Sequence, residues 1–92
     1  MNEEKIKLLT AQPNIGKYLA EKLIEASIPT IEELKDLGSE AVFTRLNTID
    51  KTICINVLYA LEGAVQGIRW HSLNSGRKAE LLDFFHQIKR GE

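Results

Sequence analysis

The stretch Pro13-Asn14-Ile15-Gly16-Lys17 decides the fold class, because it lies between two short segments with the apolar spacing of helices. The first segment covers about Glu3–Thr10 and stops before Pro13, since the residue preceding a proline is pushed away from helical geometry. The second segment runs from about Ile15 to Ala26, and its apolar residues recur at helical spacing. Two short helices joined by such a turn predict a helix-hairpin-helix-like unit.

The turn also carries groups that bind phosphate in hairpins of this kind. Free backbone N–H groups at the start of the second helix can bond a phosphate oxygen, and the helix dipole favours negative charge there. Gly16 lets another backbone come close, while Lys17 and Lys22 supply cations. Asn14 stands where such hairpins usually have glycine, and asparagine tolerates left-handed geometry. The candidate nucleic-acid-binding residues are therefore Asn14, Gly16, Lys17 and Lys22.

The alternative interpretation of the turn is structural. In this interpretation the residues only lead one helix into the next, and Ile15 fills the core. The turn contains a single glycine, and Glu21 and Glu25 lie one and two turns beyond Lys17 on the same face. These acidic neighbours lower the local potential at Lys17.

The rest of the chain also predicts helices, because no segment shows the alternation of apolar and polar residues that is typical of a strand. Thr30 and Glu33 have capping-box spacing at the start of a third helix. Gly38 is expected to end that helix. Ser39 is then expected to cap the helix that follows.

The segment Ile53–Ile68 is apolar nearly all round, which is the pattern of a helix enclosed by others. We expect it to be the central helix, followed by a final helix that starts after Ser72 or Asn74. The residues expected to face inward from the final helix are Leu81, Leu82, Phe85 and Ile88. The predicted fold is all-α, a compact bundle of about five short helices forming one domain over residues 1–92.

Composition limits the classes of function. The chain has 92 residues, of which 43% are hydrophobic and 27% charged, an ordinary globular balance. Its acidic start does not resemble a secretory signal, and no apolar stretch approaches the roughly 20 residues of a membrane span. The single Cys54, expected to be buried, cannot form an internal disulfide. We therefore predict a cytoplasmic protein.

Nothing in the sequence points to catalysis or to a metal. His71 and His86 are too far apart for a helical metal pair, and Ser72 beside His71 lacks a nucleophile-elbow glycine pattern. We predict a non-enzymatic protein without cofactor, metal or small-molecule substrate. The net charge of −1, from 12 basic and 13 acidic residues, gives no global attraction to nucleic acid or to anionic lipid. Any nucleic-acid patch must therefore be local.

Two further surfaces have two interpretations each. Gly63 and Gly67 lie four residues apart, so they predict a groove beside Trp70 for a partner helix, or else internal packing with Trp70 covering the core edge. Glu62, next to the first glycine, is interpreted as solvated rather than as a buried paired carboxylate. Five C-terminal cations form either a phosphate-facing strip or a solvated face: Arg69, Arg77, Lys78, Lys89 and Arg90.

A family resemblance runs through ordered motifs along nearly the whole chain. They are Pro13-Asn14-Ile15-Gly16, Ser27-Ile28-Pro29-Thr30-Ile31-Glu32-Glu33-Leu34-Lys35-Asp36-Leu37-Gly38, Leu58-Tyr59-Ala60-Leu61-Glu62-Gly63-Ala64, Trp70, and Arg77-Lys78-Ala79-Glu80-Leu81. Together these motifs resemble the C-terminal domain of the TfoX/Sxy competence regulators. One departure is Ser27, since similar sequences often have glycine after the second helix.

The resemblance implies a helical domain that regulates DNA-uptake genes. Larger members carry a separate N-terminal domain and act on transcription together with a cAMP-receptor-type activator. We therefore predict a regulatory interaction module that docks onto a protein partner, either the transcription machinery or a separate TfoX N-terminal-like domain. The alternative function is a helix-hairpin-helix module that binds nucleic-acid backbone without sequence specificity.

Overall fold

The structure is a computed structural model that describes residues 2–91, and it begins with two helices that pack against each other. Helix α1 spans Asn2–Thr10, and α2 spans Lys17–Glu25. Helix α2 is shorter than predicted at both ends. Gly16 is extended (φ −91°, ψ −178°) and takes the N-cap position, whereas Ala26 takes the C-cap.

Four further α-helices follow in the described range. They are α3 (Ile31–Leu37), α4 (Ser39–Ile49), α5 (Ile55–Gln66) and α6 (Ser75–Arg90), with a 3₁₀ turn at Trp70–Ser72 between the last two. Residues 2–91 contain no strand, so the all-helical prediction is confirmed, with six α-helices instead of about five. Gly38, at φ 86°, separates α3 from α4, as the sequence predicts.

Two helices begin where the sequence predicts, and a side chain caps each start. The hydroxyl of Thr30 accepts a hydrogen bond from the backbone N–H of Glu33 at 3.2 Å. The side chain of Asn74 accepts bonds from the N–H groups of Gly76 and Arg77, which fixes the start of α6. Each bond satisfies a donor that has no partner inside its own helix.

Three local predictions were wrong. Ser39 does not cap α4, because Gly38 holds the N-cap position and the buried Ser39 hydroxyl instead donates to Glu62. Leu82 is 37% exposed because the core-facing side of α6 centres on Leu81. Cys54 is exposed, since it lies at the N-cap of α5, ahead of the helix that the core encloses.

Helix α5 is the central element, as predicted, and it packs against α3, α4, α6 and the 3₁₀ turn. Leu58, Leu61 and Ala64 on this helix are fully buried, and burying each leucine contributes about 1.5–3 kcal/mol. The radius of gyration is 12.3 Å, close to the ~12 Å expected of a compact chain of this length. Among the described residues, no helix combines the length and apolar character needed to span a membrane.

Candidate functional site: the hairpin and the Trp70 cleft

The turn between α1 and α2 places Asn14 in the left-handed region, at φ 71°. This agrees with the expectation that asparagine here replaces the usual glycine, because its short polar side chain makes that geometry less costly. The next residue, Ile15, is 4% exposed and belongs to the core. The turn therefore has a structural role as well as an exposed surface.

The Asn14 side chain clamps the turn onto a distant loop. Its Nδ2 donates to the carbonyl of Ile68 at 2.8 Å, and its Oδ1 accepts from the backbone N–H of Trp70 at 3.0 Å. Both bonds are partly buried, and they join residues more than 50 positions apart. The hairpin and the loop after α5 therefore form one continuous surface.

Gly63 makes room for this clamp. A Cβ at Gly63 would stand 2.8 Å from the carbonyl oxygen of Ile68 and 3.1 Å from the backbone nitrogen of Trp70, and closer still to the Asn14 amide nitrogen. The space beside this glycine is thus filled by Asn14. Its counterpart Gly67 has a different role, because it is left-handed (φ 73°, ψ 27°) and ends α5.

The residues around the clamp line a cleft of about 380 Å³, here called the hairpin–Trp70 cleft. Its lining consists of Asn14, Gly16, Tyr18, Leu19, Asn56, Val57, Ala60, Arg69, Trp70 and His71. A groove formed by residues 10–16 and Arg69 adjoins it and shares Asn14 and Gly16. No Asp or Glu lines either surface, although the chain has 13 acidic residues. The cleft is mainly apolar, and Arg69 gives both surfaces a positive bias.

The four candidate nucleic-acid-binding residues occupy different surroundings. Asn14 and Gly16 both line the cleft. No side chain caps the first turn of α2, and a Cβ on Gly16 would meet nothing within 4 Å, so the helix start is open. Lys17 is exposed beside it. Lys22 is half-buried, pairs with Glu25 at 3.5 Å and lies 5.7 Å from the Tyr18 ring.

The three candidate partner-groove residues likewise lie in different places and have different roles. Trp70 forms a wall of the hairpin–Trp70 cleft, while Gly63 lies beneath the Asn14 clamp and Gly67 at the end of α5. The Trp70 ring stacks on Tyr59, with centroids 5.8 Å apart, and on His71, at 4.0 Å. Because protein rings already contact this indole, it offers a rigid wall more than a free stacking platform.

Tyr18 at the edge of the cleft is a residue that sequence reasoning missed. It is 51% exposed, and its hydroxyl donates to the carboxylate of Asp50. The Thr52 hydroxyl, the Tyr18 hydroxyl and the Thr52 N–H all donate to Asp50, and these bonds lower the pKa of Asp50 to about 2. The bond to Asp50 in turn raises the pKa of Tyr18. An aromatic residue directly after the hairpin, among the polar residues of α2, was the available signal.

Glu62 lies on the opposite side of α5 from the cleft chemistry and is buried, so its interpretation as a solvated side chain was wrong. Its carboxylate accepts bonds from Ser39 at 2.6 Å, from Gln66 at 2.6 Å and from Arg77 at 3.1 Å. Burial alone would raise the pKa of Glu62, but the three donors and the charge of Arg77 outweigh it and lower the pKa. Glu62 therefore stays ionised inside the bundle.

The C-terminal cations occupy different surroundings, and two of them, Arg77 and Lys89, bind polar groups of other helices. Arg77 also contacts Glu40 at 3.2 Å and Glu80 at 3.1 Å. Lys89 Nζ donates to the Asn47 side chain at 2.7 Å. Within this group, Arg69 is the cation that lines the hairpin–Trp70 cleft.

The arrangement suits binding more than chemistry. The cleft lining holds no carboxylate or thiol that could pair with His71 for acid–base or nucleophilic work. Across residues 2–91, no three His, Cys, Asp or Glu side chains come together in a way that could hold a metal ion. The lining offers apolar area, amide groups, a phenol hydroxyl, an imidazole and one guanidinium.

Comparison with known proteins assigns the chain to a family. The TfoX C-terminal domain family matches residues 3–85. Protein Sxy from Escherichia coli is 31% identical over 72 residues, which cover 78% of this chain but 34% of Sxy. The chain therefore spans about a third of the length of that relative.

Crystal structures of Listeria monocytogenes proteins share the fold. An uncharacterized protein in a triclinic form superposes with a TM-score of 0.87 at 51% identity, covering 88% of this chain and 92% of that one. A protein of unknown function in a tetragonal form gives 0.85 at 51% identity, with 87% and 99% covered. From the match over nearly its whole length, this chain belongs to the TfoX C-terminal domain family.

Proposed function

We propose that the domain is a non-enzymatic regulatory module of competence-type gene control, which docks onto a protein partner through the hairpin–Trp70 cleft. Membership of the TfoX C-terminal domain family and similarity to Sxy support the regulatory role. The observation that carries the docking surface is the cleft itself, about 380 Å³ of mainly apolar lining beside Arg69 and free of carboxylates.

The walls of the cleft favour a protein side chain as the occupant. Val57, Ala60 and Trp70 present apolar surface, and an apolar side chain that becomes fully buried there gains about 1.5–3 kcal/mol. The stacking of Trp70 and the Asn14 clamp hold the walls in place before binding, which lowers the ordering cost. Arg69 favours an acidic residue next to the inserted side chain.

The partner class follows from the resemblance. A cAMP-receptor-type activator of the transcription machinery is the first candidate, and a separate TfoX N-terminal-like domain is the second. Either partner places the module in the cytoplasm. The α1–turn–α2 unit would then act as a helix-hairpin-helix-type scaffold that presents one wall of the cleft.

The test is calorimetric titration of a purified cAMP-receptor-type activator into the domain. Ala60→Glu puts a carboxylate into the cleft, and we expect it to weaken binding at least about tenfold, equivalent to ~1.4 kcal/mol. Ala79→Glu is the same substitution at an exposed position of α6 and should leave affinity unchanged. Equal effects of the two substitutions, or no binding by the wild-type domain, would count against docking of this partner in the cleft.

A second candidate function, binding to nucleic-acid backbone, is favoured by the open start of α2. The start of α2 has no side-chain cap, Gly16 is open, and the groove of residues 10–16 with Arg69 contains no carboxylate. A phosphate oxygen at that position would bond backbone N–H groups at the positive end of the helix. Lys17 and Arg69 would supply the cations.

Salt dependence separates the two functions. Backbone binding should weaken steeply with added salt, and Lys17→Glu should reduce the slope of log K against log salt by about one unit. Lys35→Glu, at an exposed site on α3, is the matched control and should leave the slope unchanged. If neither duplex nor single-stranded DNA binds at low salt, the second candidate function is excluded.

A further inference from the structure

An apolar groove of about 220 Å³ lies between α1 and the start of α3. One wall belongs to the α1 side of the groove and includes Lys5 and Leu8, while the other is formed by residues 29–32. Leu9 is 1% exposed, so the α1 side of the groove runs into the hydrophobic core. The groove therefore adjoins the hydrophobic core.

A large apolar side chain stands exposed on the edge of this groove. Leu8 is 70% exposed, more than any other large hydrophobic residue that the structure describes. Together with the apolar groove beside it, Leu8 forms a contiguous apolar patch, which is the kind of surface that marks interaction sites. A projecting leucine and an apolar groove on the same surface make that surface complementary to itself.

The charges at the groove are also complementary to those of a second copy. Lys5 lies on the α1 wall, and Glu32 lies on the α3 wall. A two-fold axis along the groove would lay α1 of each copy over the start of α3 of the other. Lys5 of one copy would then face Glu32 of the second copy, and the reverse pair would form as well. Leu8 would insert towards the apolar surface around Ile31.

We propose that the α1–α3 groove is a self-association surface, occupied by a second copy of this chain in a two-fold dimer. The proposal does not depend on the function of the hairpin–Trp70 cleft. A stable interface involves about 20–30 residues on each partner, whereas eight residues line this groove. The dimer is accordingly weak, with a dissociation constant of about 0.1–1 mM.

Sedimentation equilibrium over about 10 μM to 2 mM tests the dimer, a range chosen to bracket that dissociation constant. For the wild-type domain we expect the average mass to rise with concentration towards twice the monomer value. Leu8→Glu should keep the protein monomeric throughout. Leu37→Glu is the matched control, at a leucine that is 41% exposed on α3, and should dimerise like wild type. A wild-type protein that stays monomeric throughout, or a Leu8→Glu protein that dimerises normally, would overturn the proposal.

Charge reversal tests the two-fold arrangement separately. Lys5→Glu and Glu32→Lys should each weaken the dimer at least about threefold, because each places like charges opposite one another. The double variant should restore association to the wild-type level, since it exchanges the two signs. A double variant weaker than either single variant would contradict the arrangement. Both residues are exposed, so neither change disturbs the core.

Discussion

Two neighbouring residues of α5, Glu62 and Gly63, contact different parts of the molecule and do so by different means. Glu62 is a buried charge that draws Ser39 of α4, Gln66 of α5 and Arg77 of α6 together. Gly63 has no side chain, and the space is taken by an amide from the far end of the sequence, that of Asn14. Glu62 therefore acts through its carboxylate, whereas Gly63 acts because the absence of a side chain leaves room for Asn14.

The two residues have different consequences, one for the stability of the fold and the other for the shape of its surface. The Glu62 network links three helices and leaves no buried side-chain polar atom without a partner among the described residues. The Gly63 side joins the hairpin to the Trp70 loop through two neutral hydrogen bonds. We infer that changes at the Glu62 network alter mainly the free energy of unfolding, whereas changes to the Asn14 clamp alter mainly the cleft.

The largest expected effect on the free energy of unfolding comes from the Glu62 network. Arg77→Leu should lower the free energy of unfolding by about 3 kcal/mol, because it leaves the buried Glu62 carboxylate without its counter-ion. Urea denaturation measures the change. Arg69→Leu, at an exposed arginine, is the control and should cost less than about 0.5 kcal/mol. Similar losses of unfolding free energy in the two variants would mean that the Glu62 network contributes little to stability.

The next largest effect on stability is expected at Gly63. Gly63→Ala should destabilise the fold by about 2 kcal/mol, because the new methyl group meets the Ile68 carbonyl, which cannot move as a side chain can. Gly16→Ala places the same methyl group in open space and should cost less than about 1 kcal/mol. Thermal and urea denaturation of both variants provide the comparison. A smaller loss for Gly63→Ala than for Gly16→Ala would contradict close packing at Gly63.

Acid should weaken the Glu62 network but not the two neutral hydrogen bonds of the Asn14 clamp. The folded pKa of Glu62 lies below its ordinary value of 4.5, so its stabilising contribution is complete above that pH and is lost as pH falls through the folded value. Glu62→Gln should therefore flatten the decline of stability below about pH 4.5. Asp50, whose pKa is lowered to about 2, adds to the residual decline in the variant. An unchanged pH profile in Glu62→Gln would remove Glu62 as a source of acid sensitivity.

The sequence predicts the helices well because their signals are local. The Thr30 and Asn74 caps bond N–H groups within three residues, and apolar spacing marks α5 as central. Ser27, just after the end of α2, also lies where helices commonly place a left-handed residue. Ser27 has φ 65°, and the N–H of Ile28 bonds the carbonyl of Leu23, closing the end of α2.

The tertiary polar contacts were not predictable, because nothing local specifies them. The sequence predicts Asn14 as a turn residue, and its backbone does adopt turn geometry. Its side chain, however, bonds the carbonyl of Ile68, more than 50 positions away. Arg77 reads as a solvated cation, yet three carboxylates from three helices surround it. A polar residue in one sequence gives no sign of which distant group satisfies it, so the clamp and the network emerge only from the packing.

The most direct test of the central claim, that Asn14 joins the hairpin and the Trp70 loop into one surface, is amide hydrogen exchange at Trp70. The Trp70 N–H donates to Asn14 Oδ1 at 3.0 Å. In Asn14→Gly the turn keeps its left-handed backbone but loses this acceptor, and exchange at Trp70 should accelerate at least about tenfold, or ~1.4 kcal/mol. The Leu81 amide in α6 should keep its wild-type protection. Unchanged protection at Trp70 in Asn14→Gly would contradict the claim.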